Sequence, residues 1–296
     1  MTVTAEPTVG SVRASVRRSR LRRKQQTESR GVSGLLISFA TWLLGLAFFF
    51  PIVWMVLLSF RQEKDAATPQ LLAPFTTRNY DGLFQGDVKI ALINSAWAAG
   101  FSTFFVLVLA LPAAYALSIR PVLKWRDVLF FFLSTKMLPV VAALLPIYLL
   151  TNNLGLNDNI WVLVIVYMAA NLPIAIWMIR SFLLEVPRET IEAAQVDGAS
   201  FITVLNKIIR PMIMPGLAAT ALICFIFSWN EFLFALRLTG QNAKTSPVFL
   251  AGSIAPEGLF LAHMCAVATV VCLPVLVAGW MAQDKLVRGL SMGAVK

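Results

Sequence analysis

Charge, histidine and paired cysteine are what this chain has least of. Charged residues make up 14% of its 296 positions and apolar ones 58%, where soluble domains carry about 25% and about 45–50%. Water is therefore not the main solvent. The single histidine, His263, has no partner at metal-ligand spacing, and Cys224, Cys265 and Cys272 sit in apolar runs without a CxxC pair. A disulfide scaffold and a zinc site are both excluded. No HExxH or Ser/His/Asp set occurs, which argues against a membrane-embedded enzyme. The phosphate-cradling pattern Gly-x4-Gly-Lys-Ser/Thr is missing too, since Gly240-Gln241-Asn242-Ala243-Lys244-Thr245 lacks the second glycine.

What is there is long apolar sequence. No charged residue interrupts Gly31–Phe60 or Ile90–Ile119, and about 20 such residues suffice to cross a bilayer as a helix. Six spans follow: Leu35–Phe60, Ile90–Ile119, Val128–Leu150, Ile160–Leu184, Met212–Leu236 and Leu259–Met281. The expected fold class is an all-α membrane protein with six transmembrane helices. Residues 1–34 read as a basic, disordered cytoplasmic tail, 35–60 as the first span, 61–87 as an extracytoplasmic loop, 88–281 as the main membrane domain and 282–296 as a cytoplasmic tail.

The formal charge of +10 comes largely from Arg13, Arg17, Arg18, Arg20, Arg22, Arg23, Lys24 and Arg30. Interleaved with Ser, Thr and Gln, they read as a topology-fixing tail facing lipid rather than a nucleic-acid arm. The segments on the same side add Arg120, Lys124, Arg126, Arg180, Arg188, Lys207, Arg210, Lys285, Arg288 and Lys296, against only Arg61, Lys64, Arg78, Lys89, Arg237 and Lys244 opposite. The positive-inside rule places both termini in the cytoplasm. Prolines recur within the spans at Pro112, Pro139, Pro146, Pro173, Pro215 and Pro274. Each removes a backbone donor and invites a kink that neighbouring helices must compensate.

The informative loop, about 185–211, joins the fourth and fifth spans. Pro187 suits a first helical turn, Glu189 and Glu192 its positive N-terminal end, and Gly198 its exit. Ser200 then caps a second short helix over 201–210, before Pro211 begins the climb into the membrane. Two short helices across the spans would form a cytoplasmic knob.

Glu192-Ala193-Ala194, Gly198, Ile208 and Pro211 reproduce the spacing E-A-A-x3-G-x9-I-x-L-P, with Arg210 in the leucine position. In this the chain resembles the permease subunits of type I ABC importers. The resemblance runs over about Val88–Met281 and includes Ser228-Trp229-Asn230-Glu231-Phe232. It looks like the smaller permease of maltose-type carbohydrate importers, and Ser134–Pro139 is similar to a sorbitol/mannitol branch.

The resemblance implies a bacterial inner-membrane protein that is not itself an enzyme and binds no cofactor, with ATP and Mg on a partner ATPase. Its partners would be a second, homologous permease, a cytoplasmic ATPase dimer and an extracytoplasmic solute-binding protein, which the loop Arg61–Lys89 would receive unless that loop merely caps the bundle. Glu192 would be the charged contact to the ATPase, Ala193 and Ala194 its close-packing face, and Gly198 the turn. A stand-alone transporter driven by an ion gradient is the alternative, and it leaves the knob unexplained.

Two ionisable residues fall inside spans, Lys136 and Glu231, and each costs about 2.5–3.5 kcal/mol at mid-membrane on the insertion scale. On continuous helices Lys136 would lie ~13 Å above the inner surface and Glu231 ~30 Å. Asn171 and Tyr167 would share the midplane with Lys136. Lys136 is thus either a solute contact or a snorkelling side chain. Asn171 and Tyr167 are either pathway groups or interhelical glue, and Asn230 and Glu231 either an outer gate or solute contacts.

Overall fold

The computed structural model describes residues 9–66, 68, 74–119, 122–253 and 260–294, with side chains described between 34 and 283. The side chains of the N-terminal arginines, Lys285 and Arg288, as well as Arg120 and Lys296 altogether, lie outside the described residues. Met1–Leu57 forms one unit and Leu58–Lys296 another.

The described residues of the first unit belong to one helix, α1 (Val9–Ser59), apolar from Gly34 onward. Its helical backbone includes the basic segment 13–30. Arg, Lys and Gln, ten of the eighteen residues in that segment, all have high helix propensity.

The second unit opens with α2 (Glu63–Ala66) and a 3₁₀ turn at Arg78–Tyr80. Asn79 Nδ2 donates to the carbonyls of Ser59 and Arg61, which pins this outer loop to its own start. Three long helices follow in the positions expected: α3 (Gly86–Ala116), α6 (Ile160–Leu183) and, last in the chain, α12 (Leu261–Ala294). Pro112, Pro173 and Pro274 lie inside them without breaking them.

The third span differs from expectation. It is two helices, α4 (Trp125–Met137) and α5 (Val140–Asn153), bent by 88° at Leu138-Pro139. Leu138 is extended (φ −67°, ψ 129°), as the ring of a following proline favours.

The loop after α6 carries α7 (Arg188–Val196) and α8 (Phe201–Met212), the latter π-helical over Val204–Ile209. The climb into the membrane begins at Ile213 rather than at Pro211, with an 83° bend into α9 (Met214–Trp229). Two short helices complete the outer face, α10 (Leu233–Leu238) and α11 (Ser246–Gly252). Among the described residues four helices can each cross a bilayer by length and apolarity, or up to six if each bent pair is one span.

The core lies where α3, α6 and α9 cross. Ala110, Ala114, Ala175, Ile176, Ile179 and Cys224 are fully buried there. Small residues let the helices approach closely, which in lipid replaces the hydrophobic drive for association. Gly216 is the tightest point, because a Cβ there would lie 2.3 Å from the Phe182 ring.

Candidate functional site

The knob is built from sequence in small steps. Pro187 is extended and ends the preceding chain, and Glu189 stands in the first turn of α7, where a carboxylate favours the helix's positive end. Ile191 and Ala194 are buried in the same core cluster as Ala110, Tyr115, Ile179 and Leu183. Glu192 and Ala193 face out. The alanine pair expected to form one packing face is therefore split by the 100° step of the helix: Ala194 seats the knob on its own chain, and Ala193 is presented beside Glu192.

Gly198 has φ +78°, a left-handed conformation that costs a residue with a Cβ about 1 kcal/mol or more. Its N–H donates to Gln195 O at 3.0 Å, and Ala199 N–H donates to Ala194 O at 3.0 Å. This pair of bonds is the Schellman stop. Ser200 Oγ accepts from Thr203 N at 3.3 Å and caps α8. Phe201 then meets Tyr115 of α3 edge-on, ring centroids 5.2 Å apart. Ile208 is half-buried against the core, Ile209 is fully buried, and Arg210 and Pro211 are exposed. Ile191 and Ala194, on either side of the exposed Glu192 and Ala193, thus pack into the cluster that α3 and α6 share.

Of the polar groups within the membrane, the structure brings some together and separates others. Asn171 Nδ2 donates to Ser228 Oγ at 2.9 Å, and Ser102 Oγ stands 3.0 Å from that oxygen. This buried node joins α6, α9 and α3. Tyr167 is 2% exposed, its hydroxyl near the Glu231 carboxylate without reaching hydrogen-bond geometry. Asn171 and Tyr167 therefore both lie buried on the interior face of α6, and Asn171 makes an interhelical hydrogen bond there.

Glu231 is not a free charge at the outer end of a continuous fifth span. The helix ends at Trp229, and Glu231 Oε1 and Oε2 accept from Phe234 N (2.9 Å) and Ala235 N (3.1 Å), capping α10. The ~30 Å depth expected for it assumed one straight helix, whereas α9 rises only about 24 Å and starts beyond a bend. Asn230 is exposed, with Nδ2 donating back to Ile226 O at 2.9 Å.

Lys136 is elsewhere. It lines a cavity of about 460 Å³ with Thr135, Leu138, Pro139 and, from α6, Ile165, Val166, Ala169, Ala170 and Pro173. These α6 residues lie on a different face from Tyr167 and Asn171, so the expected midplane trio does not share one site. Nζ of Lys136 stands 5.9 Å from the Phe227 ring centroid.

The helix ends opposite the knob are fastened by two carboxylates. Asp158 Oδ1 accepts from the N–H of Gly240 (2.8 Å) and Ala243 (2.8 Å), and Oδ2 from the N–H (3.0 Å) and Nδ2 (2.9 Å) of Asn242. Partial burial pushes this carboxyl up, but the four hydrogen bonds outweigh it and hold it below the ordinary aspartate value. Glu63 accepts from Ala262 N (3.1 Å) and His263 N (3.3 Å), at the start of α12.

The family profile described as "Binding-protein-dependent transport system inner membrane component" matches residues 106–286. The chain belongs to that family. As an inner membrane component of such a system it has relatives along most of its length. The probable ABC transporter permease protein y4oR of Sinorhizobium fredii is 36% identical over 90% of this chain and 98% of its own. The trehalose transport permease SugB of Mycobacterium tuberculosis is 32% identical over 83% and 92%, and the trehalose/maltose permease MalG of Thermococcus litoralis 30% identical over 88% and 96%. Among solved structures, a chain of a bacterial ABC transporter that imports the acidic polysaccharide alginate superposes with a TM-score of 0.73 at 23% identity, covering 87% of this chain and 98% of that one. That likeness establishes the type I importer fold.

Against this family background, Asp158 and Glu63 are the functional-end residues that sequence reading missed. Asp158 carried one signal, a cluster of Gly155, Asn157, Asp158 and Asn159 just before an apolar run, which marks a turn. Nothing local reveals its partners more than 80 residues away.

Proposed function

We propose that this permease forms one half of the translocation pathway of an ATP-driven importer for a sugar or sugar alcohol, with both termini in the cytoplasm. The observation that carries the reading is the knob: Glu192 and Ala193 presented outward, Gly198 terminating α7 in a left-handed turn, and Ile191, Ala194 and Ile209 seated in the membrane core. A separate ATPase pair grips that knob, and ATP-driven closure tilts α3 and α6. Ile208 completes the loop by packing, and Pro211 lies in its last turn before the bend at Ile213. A second permease supplies the other half, and an extracytoplasmic binding protein delivers the solute to the outer face. This chain holds neither ATP nor Mg. The carbohydrate class is supported by the trehalose and maltose permeases among its relatives.

Lys136 belongs to the pathway in this reading. Asn171 and Tyr167 keep α3, α6 and α9 together beside it, while Asn230 and Glu231 shape its outer end. No observation favours an ion-gradient carrier, since the Glu231 carboxylate is already occupied by two backbone N–H groups.

The test is Glu192→Lys and Gly198→Asp in the assembled transporter. Membrane insertion stays at the wild-type level and ATP-dependent uptake is lost. Normal uptake by both variants, or transport by this chain purified without any ATPase, overturns the proposal.

A further inference from the structure

The break between α4 and α5 leaves backbone groups open in the apolar part of the chain. Leu138 turns away and Pro139 has no N–H, so among the described residues no backbone N–H from beyond the break donates to the carbonyls of Thr135, Lys136 or Met137. The hydroxyls of Ser134 and Thr135 offer these carbonyls nothing, because they donate back to Phe131 O (2.8 Å) and Phe132 O (2.7 Å). At the start of α5, Ala142 N–H is taken by Pro139 O at 2.9 Å, while Val140 and Val141 are the two orphan donors of a first turn. Unpaired backbone at membrane depth persists only where it lines a cavity or is buried in protein. Here the cavity is the 460 Å³ one whose wall includes Thr135, Lys136, Pro139 and Val140.

Lys136 sits at this junction without an ion pair among the described residues. Its positive charge stands at the C-terminal end of α4, where the helix dipole is negative, and over the Phe227 ring. Cation and carbonyls are thus mutually balanced, which removes the need for an anionic counter-group.

From these observations we infer that the α4–α5 break is a contact site for a neutral, hydroxyl-rich solute. It rests on the importer reading given above. A hydroxyl both donates and accepts, and the break offers both complements: carbonyls of the last turn of α4 to receive, and Lys136 Nζ with the first N–H groups of α5 to give. A carboxylate or phosphate only accepts, and it would meet the carbonyl row as like charge. The cavity's size falls within the usual range of about 300–1,000 Å³ for small-molecule sites. Its apolar remainder suits the C–H faces of a sugar or alditol and holds it weakly enough to pass.

The experiment uses the full transporter in proteoliposomes, with its second permease, ATPase pair and binding protein. Labelled mannitol, trehalose and glucuronate are the probes. The wild type imports a neutral probe. Lys136→Met assembles with its partners at wild-type yield but imports that probe about tenfold more slowly or worse, the cost of one charge-assisted hydrogen bond. Lys136→Arg, which keeps donor and charge, restores uptake to an intermediate rate. Import by Lys136→Met within about twofold of wild type overturns the inference, and so does a transporter that takes glucuronate alone. Loss of assembly in Lys136→Met assigns the lysine to structure and also overturns it. A wild-type complex that imports none of the three with ATP overturns the importer reading itself, and this inference falls with it.

Discussion

Replacing Asp158 tests how the outer face is held. Its carboxylate collects four hydrogen bonds from the segment 240–243, three of them from backbone N–H groups. Asparagine has nearly the same shape and tolerates the left-handed backbone found here, φ +61°. It offers one oxygen instead of two, and its NH₂ points donors at donors. Hydrogen bonds to a charged group are worth about 1.5–3 kcal/mol each. Discounting for the half-exposed position, Asp158→Asn costs about 1–2 kcal/mol, and Asp158→Ala about 1 kcal/mol more for the strained backbone. The assay is thermal unfolding of the assembled transporter in detergent, where the first variant melts a few degrees lower.

The same residue has a signed pH dependence. Its folded carboxyl titrates below the ordinary value, so its contribution is complete above the unfolded pKa of about 3.9 and fades as pH falls through the lower, folded one. The gap between wild type and Asp158→Asn is then constant from pH 5 to pH 8 and closes below about pH 4. Equal melting of the two proteins at pH 7 refutes the argument. If alanine alone destabilises, backbone strain rather than the carboxylate is what matters.

Two further outcomes are expected. Gly216→Ala places a methyl group 2.3 Å from the Phe182 ring and destabilises the contact of α6 with α9 by about 1–3 kcal/mol, as overpacking does; adding Phe182→Leu recovers part of it, and a single variant that melts like wild type shows the ring to be free to move. Glu63→Ala removes both acceptors at the start of α12 and costs about 1 kcal/mol, with Glu63→Gln intermediate; faster amide exchange confined to Ala262 and His263 is the signature, and unchanged exchange there rules the cap out.

The spans were legible because lipid demands one thing of the sequence, an unbroken apolar run. The knob was legible for a different reason. Its glycine, serine and prolines act on the nearest few residues, so their spacing alone carries the shape. What the sequence concealed depends on contacts made at a distance or on choices between near-equal outcomes. Pro112 and Pro173 sit in intact helices while Pro139 breaks one, and the apolar residues around all three look alike. Glu231 read as an exposed intramembrane charge because the end of α9 at Trp229 has no glycine or proline to mark it. Asn171 revealed its polarity but not its face. The interior side of α6 is defined by Ser102 and Ser228, 69 and 57 positions away in sequence respectively.

The clasp at Asp158 bears on how such a surface can diverge. Three of its four partners are main-chain groups, which every residue except proline supplies. All three gripped positions are constrained in identity: at Gly240 a Cβ would come within 3.1 Å of the carboxylate, Asn242 donates its side chain, and Ala243 is buried. The exposed side chain of Gln241 between them is free to drift without loosening the anchorage. A lineage can therefore recut this outer face for a new delivery partner while the membrane domain beneath it stays the same.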